Sequence, residues 1–132
     1  MNNVEIERLS DTEYQTGNNK ISLIEGNIIF VVTQGEQTGD IALNQKKICE
    51  ILSSDLKGKV NYLIDLNKCG KTLPKAREIY KELTESEKTN KVATFGLNPV
   101  SKVIATFVII ALRKGLIRFF NKKQDAINWL LS

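Results

Sequence analysis

The fold of the chain is decided by residues 59–66, Lys-Val-Asn-Tyr-Leu-Ile-Asp-Leu, whose middle is almost continuously apolar. A strand of this pattern suits burial on both faces, which is typical of a parallel sheet covered by helices. Helical patterns flank it, with one helix over about 41–54, capped by Asp40, and another marked by apolar residues from Leu73 to Leu83. This alternation of strand and helix predicts βαβ units with right-handed crossovers.

The same alternation continues toward the C-terminus. A strand is predicted at 91–97, a helix at about 99–114, a strand at 116–120 and a helix at 122–131. The third helix has a good start signal, because Asn98 suits an N-cap and the proline that follows it suits the first helical position.

The N-terminal third has the character of antiparallel strands. Residues 4–9 begin with alternating apolar and polar positions, which indicates a half-buried strand, and a polar loop follows at 10–19. The β-rich runs 20–25 and 28–33 are separated by Gly26-Asn27, a typical two-residue hairpin turn. This part is therefore predicted to form an antiparallel meander.

The chain as a whole is predicted to be one α/β domain over residues 1–132. Residues 1–19 supply an edge strand and a loop, and residues 20–132 supply the core. The sheet is mixed, with a leading antiparallel hairpin followed by parallel βαβ units, and it carries four helices. Loops are expected at 34–40 and at 67–71.

Histidine is absent from the 132 residues, and its absence excludes several kinds of chemistry. Ser-His-Asp and Cys-His catalysis need an imidazole that titrates near neutral pH, and His-ligated zinc sites need imidazole ligands. No stretch matches a glycine-rich nucleotide-binding loop. We therefore expect no catalytic residue, no metal and no cofactor.

The expected location is the cytoplasm. Cys49 and Cys69 form no CxxC pair and are too few for a disulfide framework, which favours a reducing compartment. The first ten residues lack the basic and apolar segments of a signal peptide. The most apolar stretch, 103–112, is about half as long as the roughly 20 residues that span a bilayer, so no transmembrane segment is expected.

The formal charge of +4 is unevenly distributed along the chain. Residues 1–87 carry a net charge of −3, whereas residues 88–132 carry a net charge of +7. A solvated surface explains this asymmetry, and so does contact with an acidic partner, an anionic lipid or a phosphate. Nucleic acid is not an expected partner, because no aromatic side chains alternate with the basic ones on an obvious binding face.

Several segments resemble the STAS-like superfamily of sulfate-transporter and anti-sigma-factor-antagonist domains. The resemblance is strongest to a bacterial branch described as SpoIIAA-like or CRAL-TRIO-like, and it covers about residues 20–132. The segments that carry it are 62–67 (YLIDLN), 72–77 (TLPKAR), 91–96 (KVATFG), 118–121 (RFFN) and 126–130 (AINWL). The resemblance implies a small α/β domain that binds partner proteins or apolar small molecules and does not catalyse a reaction.

The resemblance also draws attention to Thr72. Antagonist members of the superfamily carry a phosphorylated Ser or Thr at the start of the helix after the central strand, within a D-S-[ST]-G-L-like motif. Here Lys71-Thr72-Leu73-Pro74 occupies that place without the motif. Thr72 has two interpretations, an N-cap of the second helix or a phosphate acceptor near Lys71 and Lys75.

Asp65 and Cys69 lie close together in sequence near the end of the central strand, where α/β sheets commonly bind ligands. Asp65 is interpreted either as an Asx-type turn that accepts backbone N–H groups or as a residue at the ligand-binding edge. Cys69 is predicted in a loop, where its thiol could be exposed. Cys49 falls on the apolar side of the first helix and is predicted to be buried in the core.

The helix predicted at 99–114 has almost no polar face after Thr106. Three arrangements fit this pattern: it packs under another helix, forms a dimer interface, or walls an apolar ligand pocket. Arg113 and Lys114 just beyond it would suit an anionic head group. The interface or pocket residues predicted here are Val103, Ile104, Phe107, Val108, Ile110 and Ala111, with Trp129 of the last helix as cover.

The functional expectation is a non-enzymatic, cytoplasmic regulatory or protein-interaction module of STAS type. Its partner would be another protein or a second copy of the chain. The alternative is a binder or sensor of an apolar or amphipathic, lipid-like small molecule, held in a pocket walled by helix 99–114.

Overall fold

One seven-stranded sheet forms the centre of the computed structural model, which describes residues 4–25, 27–96 and 117–132. The spatial order of the strands is the same as their order in the chain. The strands are β1 (Ile6–Arg8), β2 (Glu13–Thr16), β3 (Asn19–Ile24), β4 (Ile28–Gln37), β5 (Val60–Thr72), β6 (Thr89–Phe95) and β7 (Ile117–Phe120). The described helices are α1 (Gly39–Ser53), α2 (Pro74–Glu85) and α3 (Lys123–Leu131).

The direction of strand pairing changes once across the sheet. The strands β1 to β4 pair antiparallel, and β4 to β7 pair parallel. The predicted β3–β4 hairpin is present, but Ile24 lies opposite Ile28, so three residues and not the predicted two separate the paired positions. The predicted mixed α/β sheet is therefore confirmed.

The central strand β5 is covered on both faces, because its successive side chains point to opposite sides of the sheet. Tyr62 and Ile64 pack in the same apolar cluster as Ile48 and Cys49 of α1. Leu63 points the other way and packs with Ala126 and Leu130 of α3. Helices α1 and α2 thus lie on one face and α3 on the other.

Helix α1 begins two residues earlier than the sequence predicts. Thr38, in an extended conformation, is the N-cap, and its Oγ1 accepts a hydrogen bond from the N–H of Ile41 at 3.3 Å. Asp40 lies inside the first turn, where its carboxylate faces the positive end of the helix dipole. Ala42 of α1 packs against Ala76 and Ile79 of α2. Because the two alanine side chains are small, the helices can approach closely at this point.

Strands extend into three of the segments that were predicted as loops. Residues 10–19 contain β2, in which Tyr14 is buried opposite Ile21 of β3. The segments 34–37 and 67–72 extend β4 and β5 and pair with each other through two register shifts. The glycines in these segments were read as loop signals, but Gly70 is needed because β4 and β5 lie very close together here. A Cβ on Gly70 would lie 2.8 Å from the carbonyl carbon of Gly35.

The third predicted helix, 99–114, lies outside the described residues, so the structure describes three helices where four were predicted. The same is true of the predicted interface, pocket and anion-contact residues Val103, Ile104, Phe107, Val108, Ile110, Ala111, Arg113 and Lys114. Within the described parts of the chain, no helix is long and apolar enough to cross a membrane.

Candidate functional site

A cavity of about 70 Å³ lies between the sheet and the helices α1 and α2. Its floor is formed by the middle and carboxyl-terminal parts of the parallel strands β4 to β7, the region where α/β sheets commonly bind ligands. The wall is mostly apolar and, among the described residues, includes no charged side chain. The apolar side chains of its floor are Val31, Ile64, Leu66, Val92, Ile117 and Phe119.

One end of the cavity is formed by a buried polar network. Asn19 and Gln37 are fully buried and exchange two side-chain hydrogen bonds, at 2.8 and 3.1 Å. Nδ2 of Asn19 also donates to Oε1 of Gln45 at 3.0 Å, and the hydroxyl of Tyr80 donates to Oε1 of Gln37 at 2.6 Å. Because Gln37, Gln45 and Tyr80 line the cavity, this network defines its polar end.

The cavity is also electrically neutral near pH 7. Burial raises the pKa of the Cys49 thiol to about 12, and it raises the pKa of the Cys69 thiol as well. Burial likewise raises the pKa values of the Tyr62 and Tyr80 phenols above the ordinary tyrosine value. All four groups line the cavity and keep their protons at neutral pH.

Cys69 was predicted to lie in a loop where its thiol could be exposed, but the structure buries it. Its strand continues through the predicted loop, and the side chain is 2% exposed and lines the cavity. Cys49 is buried in the core as predicted. Neither cysteine is in a disulfide. A buried thiol with a raised pKa is a poor nucleophile, so the geometry gives no support to a reactive cysteine.

Thr72 does not cap a helix. It ends β5, the N-cap of α2 is Leu73, and no side chain bonds the first turn of that helix. The hydroxyl of Thr72 is buried and has no hydrogen bond of ordinary geometry with the described residues, although it is close enough to the Cys69 thiol to lower the pKa of that group slightly. A kinase could not reach this hydroxyl in the described conformation, so the phosphate-acceptor interpretation is unsupported.

The carboxylate of Asp65 forms the predicted Asx-type turn. Its Oδ1 accepts hydrogen bonds from the backbone N–H of Asn67 at 2.9 Å and from Nδ2 of the same residue at 3.0 Å. Asp65 lies between Ile64 and Leu66, both of which line the cavity, so its side chain points to the opposite face. Lys71 is exposed in β5. The three residues predicted as a switch or ligand edge therefore do not converge on one site.

A second feature, here called the Trp129 surface, lies on the α3 face and consists of Lys91, Arg118, Phe120 and Trp129. Nζ of Lys91 donates to the carbonyl oxygen of Trp129 at 3.0 Å and lies 5.2 Å from the centre of its ring. The guanidinium of Arg118 lies 5.4 Å from the Trp129 ring centre and 5.8 Å from that of Phe120. Trp129 is thus remote from the cavity that occupies the other face.

Comparison with known proteins agrees with this architecture. A family model described as "Domain of unknown function (DUF7793)" matches residues 22–132. The chain belongs to the DUF7793 family. No curated protein matches the chain significantly.

The solved structures show the fold of the DUF7793 chain. It is similar to the crystal structure of an uncharacterised protein of the DUF3478 family from Shewanella loihica PV-4, which has a SpoIIAA-like fold. The TM-score is 0.60 at 21% sequence identity, and the match covers 96% of this chain and 91% of the other. The predicted resemblance to the STAS-like superfamily is therefore confirmed at the level of fold.

The polar end of the cavity was not predicted from the sequence of the DUF7793 chain. One signal was present in α1, where Gln45 follows Ile41 by four residues and precedes Ile48 by three. This spacing places a carboxamide on the buried face of the helix, and a buried polar group needs a partner. Its partner Asn19 comes from β3 and is bonded in turn to Gln37 at the end of β4, so tertiary structure was needed to find them.

Proposed function

We propose that this DUF7793 chain is a non-enzymatic, cytoplasmic module of STAS type that regulates a partner protein by binding it. The Trp129 surface carries the proposal. Arginine and tryptophan are the residues most enriched where protein interfaces concentrate their binding energy. Here Arg118 is exposed, whereas Trp129 and Phe120 are half-buried in fixed contact with it.

The charge of this region favours an acidic partner. In residues 117–132, three exposed basic side chains, Arg118, Lys122 and Lys123, stand against one exposed acidic side chain, Asp125. Lys123 also lies 4.5 Å from the ring centre of Phe30, so basic and aromatic side chains are in contact on this face, which the sequence did not predict. Complementary charge of this kind accelerates association and excludes partners of the same sign.

The groups around the cavity support the non-enzymatic part of the proposal. General acid–base catalysis needs a group whose pKa lies near the working pH, within hydrogen-bonding reach of the substrate. The thiols and phenols that line the cavity have pKa values raised away from neutrality, and the described lining has no carboxylate and no lysine.

Affinity purification from the native cells tests this proposal when it is done with matched variants. Arg118→Glu reverses one charge of the Trp129 surface, and Lys47→Glu makes the same change at an exposed position of α1, on the other face of the sheet. We expect the wild type and Lys47→Glu to retain one acidic protein that Arg118→Glu loses, and its purified complex should weaken with salt. Equal capture by both variants would show that the proposed surface is wrong.

A second candidate function, binding of an apolar or amphipathic small molecule, is favoured by the cavity itself. A mostly apolar recess with a few polar groups at one end is the usual form of a small-molecule site. Native mass spectrometry of protein purified from its own cells tests it. A bound small molecule is expected, and a uniformly ligand-free mass after gentle purification would count against this candidate.

A further inference from the structure

We propose that the cavity binds a small uncharged molecule with an apolar body and one hydrogen-bond acceptor, and that Nε2 of Gln45 donates to this acceptor. The inference rests on the second candidate function and specifies its ligand. It depends on three observations, which are the fixed orientation of the Gln45 carboxamide, the use of the neighbouring donors, and the neutrality of the wall.

The orientation of the carboxamides is fixed by a backbone group. The N–H of Gln34 can only donate, and it lies 3.1 Å from Oδ1 of Asn19, which makes that atom the acceptor. Nδ2 of Asn19 must therefore be the donor to Oε1 of Gln37 and to Oε1 of Gln45. Once Oε1 of Gln45 is assigned in this way, Nε2 is directed away from the network.

The other hydroxyl and amide donors at the cavity already have partners, including the hydroxyl of Tyr62, which is in hydrogen-bonding contact with the side chains of Cys49 and Thr89. Both donors of the Gln37 amide are accounted for, because Nε2 donates to Oδ1 of Asn19 and to the carbonyl of Gly35, each at 3.1 Å. Tyr80 donates its proton to Gln37. The lining threonines donate to backbone carbonyl oxygens: Thr33 to Asp65, Thr84 to Tyr80 and Thr94 to Arg118.

Nε2 of Gln45 is the donor that remains. Its residue is 5% exposed and lines the cavity, and no hydrogen bond from Nε2 to a described residue is present. A ligand oxygen that accepts a hydrogen bond from this amide gains roughly 0.5–1.5 kcal/mol of binding free energy. A carbonyl or ether oxygen in an otherwise apolar molecule meets this requirement.

The wall determines the charge and size of the ligand. A charged molecule would lose its hydration without finding an opposite charge among the described lining residues, which is strongly unfavourable. The volume of about 70 Å³ is close to half of the roughly 150 Å³ of an engineered apolar cavity that holds benzene. The recess therefore suits a group of a few non-hydrogen atoms.

Two probes test separately whether the cavity is accessible and whether the Gln45 donor contributes to binding. Xenon is apolar and has no acceptor, so it reports only whether the cavity is accessible, whereas acetone has a similarly small body with a carbonyl oxygen. Titration of the isotope-labelled full chain, followed by NMR, should give saturable shifts for both probes at lining residues such as Val31, Val92 and Ile117. The exposed residues of β1 should not show such shifts.

Matched variants then test the role of Gln45. Gln45→Met keeps the length of the side chain and removes the donor, so acetone should bind about fivefold more weakly while xenon binding is retained. Lys47→Met, an exposed change on the same helix, should leave both probes unaffected. If Gln45→Met does not fold, the side-chain amide signals of Gln45 in the wild type report on the same contact: acetone should shift them with the saturation curve of the cavity residues, and their failure to respond would overturn the role of Nε2.

The outcomes distinguish the inference from the function on which it rests. Unchanged acetone binding in the folded Gln45 variant would overturn the role of Nε2 and leave the cavity a binding site. Absence of saturable shifts with either probe in the wild type would overturn both. The substitutions Val31→Ile and Val92→Ile should fill the cavity and abolish the binding of both probes. This result, together with a selective loss of acetone binding in Gln45→Met, would support the binding function and the role of Nε2.

Discussion

The side chains of Asn19 and Gln37 form a reciprocal amide pair across the start of β3 and the end of β4. Each residue is both donor and acceptor to the other, and both are fully buried. Because Asn19 also binds the backbone of Gln34 and the side chain of Gln45, it connects two strands and a helix. The network is therefore structural as well as a wall of the cavity.

Replacement of Asn19 by leucine should destabilise the protein strongly. The change leaves the N–H of Gln34 and the amide groups of Gln37 without a buried partner, and each such group costs roughly 1–3 kcal/mol. We expect the free energy of unfolding in urea to fall by about 3 kcal/mol or more. The neighbouring exposed Asn18→Leu should change it by less than about 0.5 kcal/mol. A loss below about 1 kcal/mol for Asn19→Leu would show that the network contributes little to stability.

Removal of the Thr72 hydroxyl should not destabilise the protein. Thr72→Val keeps the β-branched shape and removes a buried hydroxyl without an ordinary hydrogen bond, so the stability should be unchanged or should rise by up to about 1 kcal/mol. The matched change Thr33→Val removes a donor to the carbonyl of Asp65 at 2.7 Å and should destabilise by about 1 kcal/mol. Thermal or urea unfolding of the two variants checks the contrast. Equal losses would mean that the Thr72 hydroxyl has a stabilising partner.

The stability should fall in alkaline solution because of the buried thiols. The pKa of Cys49 rises from 9.0 to about 12 on folding, so the unfolded chain loses this proton at a lower pH than the folded chain. The contribution is fully present below pH 9 and is lost as the pH rises toward 12, with a slope of at most about 1.4 kcal/mol per pH unit for each thiol. Cys69 acts in the same direction.

The measurement is urea unfolding at pH 8, 9 and 10, with Cys49→Ala as the comparison. The variant loses some stability at every pH because it leaves a small cavity, but its decline above pH 9 should be less steep than that of the wild type. Identical slopes for the two proteins would show that Cys49 does not titrate differently in the folded and unfolded states.

Substitution of Gly70 should disturb the close approach of β4 and β5. A Cβ at this position would lie 2.8–3.0 Å from backbone atoms of Gly35 and Glu36, which cannot move without breaking the strand pairing. We expect Gly70→Ala to lower the free energy of unfolding by about 2–3 kcal/mol. Gly58→Ala is the control, since its φ of +81° carries strain of about 1–2 kcal/mol but its Cβ would meet no atom within 4 Å. The idea fails if Gly70→Ala is the milder of the two.

The parts of the fold that could be predicted are those with a strong local signal. The apolar run of β5 and the stripe of α1 each have one dominant period and were placed to within two residues of their true starts, and the hairpin between β3 and β4 was predicted between the correct strands. The second half of β5 has no such period, because Asn67 to Lys71 contains polar residues and a glycine. Those residues form a strand because β4 pairs with them, and pairing partners distant in sequence are invisible to local pattern analysis.

The candidate site shows the same limit. Asp65 makes a contact within two residues, so its Asx-type turn was predictable from the sequence. The position of Thr72 was misjudged, because whether a hydroxyl caps a helix or is buried at a strand end depends on where the strand stops. The cavity needs side chains from four strands and two helices, and no local motif marks that combination.

The agreement between strand order and chain order has a consequence for how the molecule assembles. In this sheet no strand has to enter between two strands that have already paired, because each new strand is added beside the one before it. A polypeptide that emerges from the ribosome N-terminus first can therefore pair each strand as it appears. Such sequential addition limits the time for which an unpaired β-edge is available to other chains.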